Sequence, residues 1–314
     1  MFDRLVEIFC EVDDFCKAFQ KQYEEHLLGT GPGPQGPVPG LCESEIITIL
    51  LVLHNSGFKH LKGFYNSPWG SVLRQYFPGM PCSERFVTVQ KQAFAALAFF
   101  TLNRTGQKRG VYYIDSTALP VCHNRRINRH KTFADLATRG KTTMGWFFGF
   151  KLHLVFNDIN EIIAFKLTPG HVSDIAPVSS LTKNLIGKLF GDKGYIGKKL
   201  AEELLRRGLA LFTRVRKNMK SLPLSMTDKA LLNARNMAET IIGKIKIFSS
   251  LCLPRHRLPI NAFLHILAAI AAYQINPIPP LARIIHQPSP CEGRRRQGPR
   301  LGPCSAPHVA QARE

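Results

Sequence analysis

Apolar residues in the first 28 positions recur at three- and four-residue steps: Phe2, Leu5, Val6, Ile8, Phe9, Val12, Phe15, Phe19, Tyr23 and Leu27. That spacing predicts a helix with one buried stripe. The stripe stops at residues 29–40, whose alternating Gly and Pro suit neither helix nor strand and predict a linker. A second helix is expected over Ser44–His54, with Glu43 or Ser44 near its cap, and more helical pattern runs from Ser83 to Leu102. At Val111 the pattern changes. Strand-like runs are expected at Val111–Asp115, Phe147–Asn157, Glu161–Thr168, Leu189–Asp192 and Leu209–Val215, with helices at Asp174–Ile186 and Gly197–Arg207. The second and third strands flank Asp158-Ile159-Asn160 and predict an antiparallel hairpin.

Strand, hairpin, helix, strand, helix, strand, helix is an α/β plan. A mixed five-stranded sheet with acids at its strand ends fits an RNase H-like architecture, flanked by helices and preceded by a helical N-terminal region. The expected divisions are a helical region over 1–105, an α/β domain over 106–276 and a tail over 277–314. For the helical region two roles stay open: a DNA-binding or dimerisation module, or a supporting layer. The tail holds eight of the chain's 21 prolines and the cluster Arg294-Arg295-Arg296, too Pro-, Gly- and Arg-rich to pack. The abrupt shift of composition there also suits a frame-shifted or read-through end.

Charge narrows the partners. The 314 residues hold 42 Lys+Arg against 22 Asp+Glu, formally +20, which favours a polyanion. A membrane is disfavoured: no apolar span reaches the ~20 residues a crossing helix needs. The longest run, Ile260 to Tyr273, is too short and contains His265. Met1-Phe2-Asp3-Arg4 lacks the opening of a signal peptide. The eight cysteines include no Cys-x-x-Cys pair, so reduced thiols in a cytosolic protein are expected rather than disulfides or a zinc site.

Three acids stand out by setting. Asp115 ends an apolar strand, Asp192 lies in Gly191-Asp192-Lys193-Gly194-Tyr195, and Glu239 lies within a helical pattern. Three carboxylates around two hard divalent ions, Mg²⁺ or Mn²⁺, are what in-line phosphodiester chemistry uses. Positions 235, 239 and 246 recur at helical spacing, which predicts Arg235, Glu239 and Lys246 on one helix face, with cations beside the acid to hold phosphates. An ordinary i,i+4 pair of Arg235 with Glu239 is the alternative. From Val121 to Lys141 there are six basic residues, Arg125, Arg126, Arg129, Lys131, Arg139 and Lys141, against Asp135 alone. Phosphate binding and a solvated loop are the two readings of that stretch. His123 and His130 have no partner that completes a zinc site.

Together these residues resemble the DDE transposases of bacterial insertion sequences, most closely insertion-sequence family 982. The resemblance covers roughly residues 5 to 275. It is carried by Asp115-Ser116-Thr117, Cys122-His123-Asn124-Arg125-Arg126, Arg139-Gly140-Lys141-Thr142 and Met144-Gly145-Trp146-Phe147. It continues through Gly149-Phe150-Lys151-Leu152-His153, Leu167-Thr168-Pro169-Gly170, Phe190-Gly191-Asp192-Lys193-Gly194-Tyr195, Glu239-Thr240 and Arg255-His256-Arg257. The resemblance implies a metal-binding catalytic triad of Asp115, Asp192 and Glu239. It also implies Mg²⁺-dependent cleavage, with Mn²⁺ able to substitute, and strand transfer at terminal inverted repeats.

DNA contacts are expected from the six basic residues above and from Lys193, Arg235, Lys246, Arg255 and Arg257. The implied partners are terminal-repeat and target DNA and further copies of the chain, a homodimer or larger synaptic assembly in the bacterial cytoplasm at the nucleoid. A decayed element product that binds DNA without cutting, and a cellular nuclease of the same fold, are the alternatives. In a related Tyr-x2-Arg-x3-Glu-x6-Lys signature, Arg235, Glu239 and Lys246 match while Leu232 takes the Tyr position. His171 stands where Asn is expected, and the 29–40 linker replaces what is often a basic segment.

Overall fold

The computed structural model describes residues 4–27, 40–214, 224–248, 251–253 and 256–279. The linker reading over 29–39 and the tail reading from 280 onward lie outside those residues, as does Arg255.

Among the described residues six α-helices precede the sheet: α1 (Leu5–Leu27), α2 (Glu43–Asn55), α3 (Leu61–Tyr65), α4 (Pro68–Tyr76), α5 (Ser83–Val89) and α6 (Phe94–Asn103). The α1 stripe works as its spacing predicts, burying Leu5, Ile8, Val12 and Cys16 against α2 and α6. Helix α2 starts one residue before Ser44, at Glu43. Its first turn is closed by the Glu45 carboxylate, which accepts from the Cys42 backbone N–H at 2.8 Å. Arg104, just past α6, pairs with Glu11 of α1.

The sheet comprises β1 (Val111–Cys122), β2 (Thr138–Thr142), β3 (Gly145–Asn157), β4 (Ile162–Pro169), β5 (Gly187–Gly191) and β6 (Leu209–Thr213). Its order is β2-β3-β1-β5-β6, with β4 also paired to β3. One edge of β3 is shared: Gly145–Gly149 pairs with β2 and Phe150–Phe156 with β4. The two partners meet where a Cβ on Gly140 would stand 2.2 Å from the Gly170 carbonyl oxygen, so a glycine is required at 140. Strands β1, β3 and β4 run antiparallel, while β5 and β6 run parallel to β1. This mixed sheet flanked by helices is the RNase H-like arrangement expected from the sequence.

Three details differ from expectation. The sheet has six strands among the described residues, because the basic run Thr138–Thr142 pairs as a strand. Strand β1 continues seven residues beyond Asp115, since Ser116-Thr117-Ala118 are small enough to stay extended while β3 pairs alongside. The helix expected over Asp174–Ile186 shrinks to α7 (Val178–Leu181), capped by Pro177, and Asp174 lies outside it.

After α7 come α8 (Lys198–Arg206), α9 (Met226–Ala234), α10 (Met237–Phe248) and α11 (Pro259–Ile275). Helices α7 and α8 cover one face of the sheet, burying Tyr112, Ile114, Val155 and Leu189. Helices α9, α10 and α11 cover the other, over Tyr113, Leu154, Phe156 and Phe190. The long apolar run of the sequence is α11, a helix buried nearly all round. Leu264, Ala268, Ala271, Ala272 and Ile275 belong to the core of the N-terminal helices, and Ile266, Ala269, Ile270 and Tyr273 to that of the sheet. Among the described residues no helix is long and apolar enough to cross a membrane.

Several histidines are held neutral inside this frame. His54 of α2 meets His265 of α11 at 3.0 Å (Nε2···Nδ1), and His256 stacks on His265. Burial, assisted by His256, lowers the His54 pKa to about 3, and burial lowers His153 and His256 to about 4. A folded-state pKa below the unfolded value of about 6.5 means that the unfolded chain takes up more protons on acidification. Stability is therefore expected to fall as pH drops below about 6.5, and to keep falling to about pH 3. Thermal unfolding across that range, with His54→Gln as the control, checks it: the variant should show a shallower slope, and equal slopes would refute the assignment.

Candidate active site

Alternation along β1 puts Tyr113, Asp115, Thr117 and Leu119 on one face. Tyr113 and Leu119 are packed in the core beneath α10 and α11, which fixes the backbone on both sides of the acid. The burial of β1 eases from Asp115 to Ala118, so the carboxylate stands where the covered part of the strand opens. Its Oδ1 accepts from the Ser116 backbone N–H at 2.9 Å, and its Oδ2 from Arg235 Nη2 at 3.3 Å.

Asp192 follows β5, the parallel neighbour of β1, and precedes a 3-10 turn over Lys193–Tyr195. Its Oδ1 lies 3.9 Å from Arg235 Nη1. One guanidinium, 7% exposed, thus spans the acids of two adjacent strands. Glu239 stands exposed in the first turn of α10. The Asp115 pKa is raised, first by burial and further by the charges of Asp192 and Glu239, against the opposing pull of Arg235 and the Ser116 N–H. The structure therefore brings the three acids into one electrostatic neighbourhood. Among the described residues, however, no three His, Cys, Asp or Glu side chains are grouped closely enough to hold a metal ion.

The single helix expected through residues 235–246 is corrected: the chain turns at Arg235–Asn236, ending α9 and starting α10. Arg235 accordingly points its charge at Asp115 and Asp192, not along a helix face at Glu239. Lys246, two turns along α10, donates to Thr117 Oγ1 at 3.2 Å and so reaches the same face of β1. Leu232, at the signature's aromatic position, is buried in the sheet core.

The opposite face of β1 carries polar residues that the sequence reading did not assign. Ser116 Oγ donates to Asp174 Oδ1 at 2.9 Å, and buried Lys151 donates to the same oxygen at 3.1 Å and to the Val172 carbonyl at 3.0 Å. A Cβ on Gly194 would stand 3.9 Å from Asp174 Oδ2, so this network also flanks the turn that carries Asp192. The available signal was a lysine and a histidine, Lys151 and His153, inside the otherwise apolar run Phe147–Phe156.

Of the residues expected to contact DNA, Arg125, Arg126, Arg129, Lys131, Arg139, Lys141, Lys193 and Arg257 are exposed. Arg125, Arg126 and Arg129 share the 3-10 helix Asn124–Arg129 directly after β1. Beyond Leu119 and Val121, a cavity of about 1280 Å³ opens toward the N-terminal helices. Arg126 and Arg257 line it from one side and Lys59 and Lys91 from the other, with Glu84 the only acid among the described residues of its wall. The three acids lie outside it.

Residues 105–259 match the family model described as a transposase DDE domain. That span, just under half of the chain, is similar to the DDE domain of transposases. All three acids fall inside the matched span, as do both polar networks around β1. No curated protein matches the sequence. Among solved structures, the cryo-EM structure of a piggyBac transposase synaptic complex with hairpin DNA is similar at 12% identity and a TM-score of 0.46, covering 86% of this chain and 72% of that one.

Because burial and like charge work against the ionised form of Asp115, its charge is a net burden on the folded state at neutral pH. The sign is that of a raised acid: the burden is present above the folded pKa and disappears as pH falls through it. Asp115→Asn is expected to melt no lower than the wild type at pH 7, while losing DNA cleavage. A fall of several degrees in the melting temperature would overturn this electrostatic account of Asp115.

Proposed function

We propose that the chain is an insertion-sequence transposase, nearest to family 982, that cleaves DNA at element ends and joins the freed 3′-hydroxyl to target DNA. The observation carrying this reading is the buried guanidinium of Arg235 shared between Asp115 and Asp192 on adjacent strands, with Glu239 near enough for its charge to act on Asp115. The transposase DDE match over the same residues supports it.

The donor set suits a divalent metal. Its oxygens are hard, and burial leaves the charge of Asp115 only partly answered by Arg235. Arg235 already shows that one cation can answer both Asp115 and Asp192. Asp115, Asp192 and Glu239 would hold Mg²⁺ or Mn²⁺, Glu239 by swinging an exposed side chain inward. Such ions supply activation of the attacking oxygen and stabilisation of the leaving one.

The chain's own groups do the rest. Strands β1 and β5 hold two acids on rigid neighbouring backbone. Arg235 limits repulsion between them, and Lys246 offers a cation to a phosphate entering beside Thr117. The arginines after β1 then bind the flanking backbone. DNA ends and target are the partners in this reading, with a dimer or larger assembly to bring two ends together.

The test is cleavage of DNA from the boundaries of the chain's own coding region with Mg²⁺ or Mn²⁺. Wild type should cut at the boundary. Asp115→Ala, Asp192→Ala and Glu239→Ala should each bind that DNA and leave it uncut. Any variant that cuts like the wild type removes its residue from the triad, and binding without cutting by the wild type would favour a DNA-binding product without catalysis. Replacing Arg125 and Arg126 with Ala should flatten the plot of log affinity against log salt by about 0.9 for each duplex phosphate no longer neutralised. An unchanged slope would return that stretch to a solvated loop.

A further inference from the structure

The tip of the β2–β3 hairpin exposes two large apolar side chains, Met144 at 96% and Trp146 at 62%. Such residues at a tip ask for a partner, because neither contributes to a core. Trp146 is one of only two tryptophans in the chain, and the other, Trp69, packs against the core of the N-terminal helices.

The tip is shaped and held. Gly145 makes the turn at φ +113°, a conformation that side-chain-bearing residues rarely adopt. Thr142 Oγ1 accepts from the Met144 N–H at 3.2 Å and donates to the Gly145 carbonyl at 3.3 Å. The Trp146 carbonyl accepts from Asn124 Nδ2 at 2.7 Å, tying the hairpin to the arginine-bearing 3-10 helix after β1. Trp146 pairs in register with Lys141, whose Nζ lies 5.6 Å from the ring centroid. Arg139, two residues back along β2, shares the face of Lys141.

An aromatic ring presented among fixed cations matches a planar π system that carries its own negative charge. A nucleotide whose base is free of its pairing partner is such a group. Base stacking on aromatic side chains within a basic groove is how single strands are held without regard to sequence. Lys141 and Arg139 beside the ring complement the phosphates on either side of such a base.

We propose that Trp146 is a stacking platform for an unpaired base of the bound DNA, with Lys141 and Arg139 holding the adjoining phosphates. The proposal rests on the DNA reading above and adds a structural preference to it: DNA with unpaired nucleotides over a blunt duplex. No residue of the platform belongs to the proposed triad.

Full-length protein titrated with labelled blunt duplex, duplex bearing a single-stranded 3′ overhang, and single strand tests it. Anisotropy of the label reports binding, and the difference in emission between wild type and Trp146→Phe isolates the signal of Trp146. Quenching of that signal is expected with the overhang and the single strand but not with the blunt duplex. Trp146→Ala should bind overhang DNA about tenfold more weakly and blunt duplex unchanged, while Trp146→Phe keeps most of the affinity. Binding with no change in Trp146 emission and no loss in Trp146→Ala would overturn the platform and leave the DNA reading standing. Emission that shifts with protein concentration in the absence of DNA would assign the tip to a second copy instead. Failure of every DNA to raise the anisotropy would remove the DNA reading and the platform together.

Discussion

A carboxylate on the central strand of a covered sheet is unfavourable unless a cation answers it, and Arg235 is the cation that answers Asp115. Much of the surrounding architecture follows from that requirement. The guanidinium must approach from the face that α9 and α10 cover, so the chain breaks its helix at Arg235–Asn236 to deliver it. It also comes within 3.9 Å of Asp192, just after β5, the parallel neighbour of β1. Removing the guanidinium would leave the Asp115 carboxylate unanswered, typically a change of about 3–5 kcal/mol in a buried setting. Asp192 is half exposed, so its share is smaller and is screened by solvent.

How far the sequence disclosed this arrangement depended on the kind of signal. The helical stripe of α1, the apolar strands and the hairpin at Asp158–Asn160 were legible because each encodes its burial in a local period. The class of fold also emerged, from the order in which strands and helices alternate. Strand β2 escaped notice because its five residues carry two cations and a glycine, and its pairing is decided by the long neighbour β3. The break at Arg235 was invisible for a related reason. Residues 226–248 keep a helical pattern throughout, and a tertiary ion pair interrupts it.

The reverse of β1 was the least legible part. Nothing in Gly170-His171-Val172-Ser173-Asp174 says that its carboxylate will receive a buried lysine from β3 and a serine from β1. Yet this network sits directly behind Asp115, with Ser116 belonging to both faces through its backbone and side chain. The candidate site is therefore polar on both sides of one strand: a partly buried carboxylate in front and a charge pair at the back. His171 joins the same end of the sheet, its ring bonded to Thr138 at the start of β2.

Helix α11 also bears on how the molecule is made. It completes the core of the N-terminal helices with one set of residues and that of the sheet with another, and it follows both in the chain. A nascent chain emerging from the ribosome would hold two unfinished cores at once, each lacking the same helix. Completion of both cores therefore depends on the docking of the one helix over residues 259–275, which ties the stability of the sheet to that of the helical scaffold.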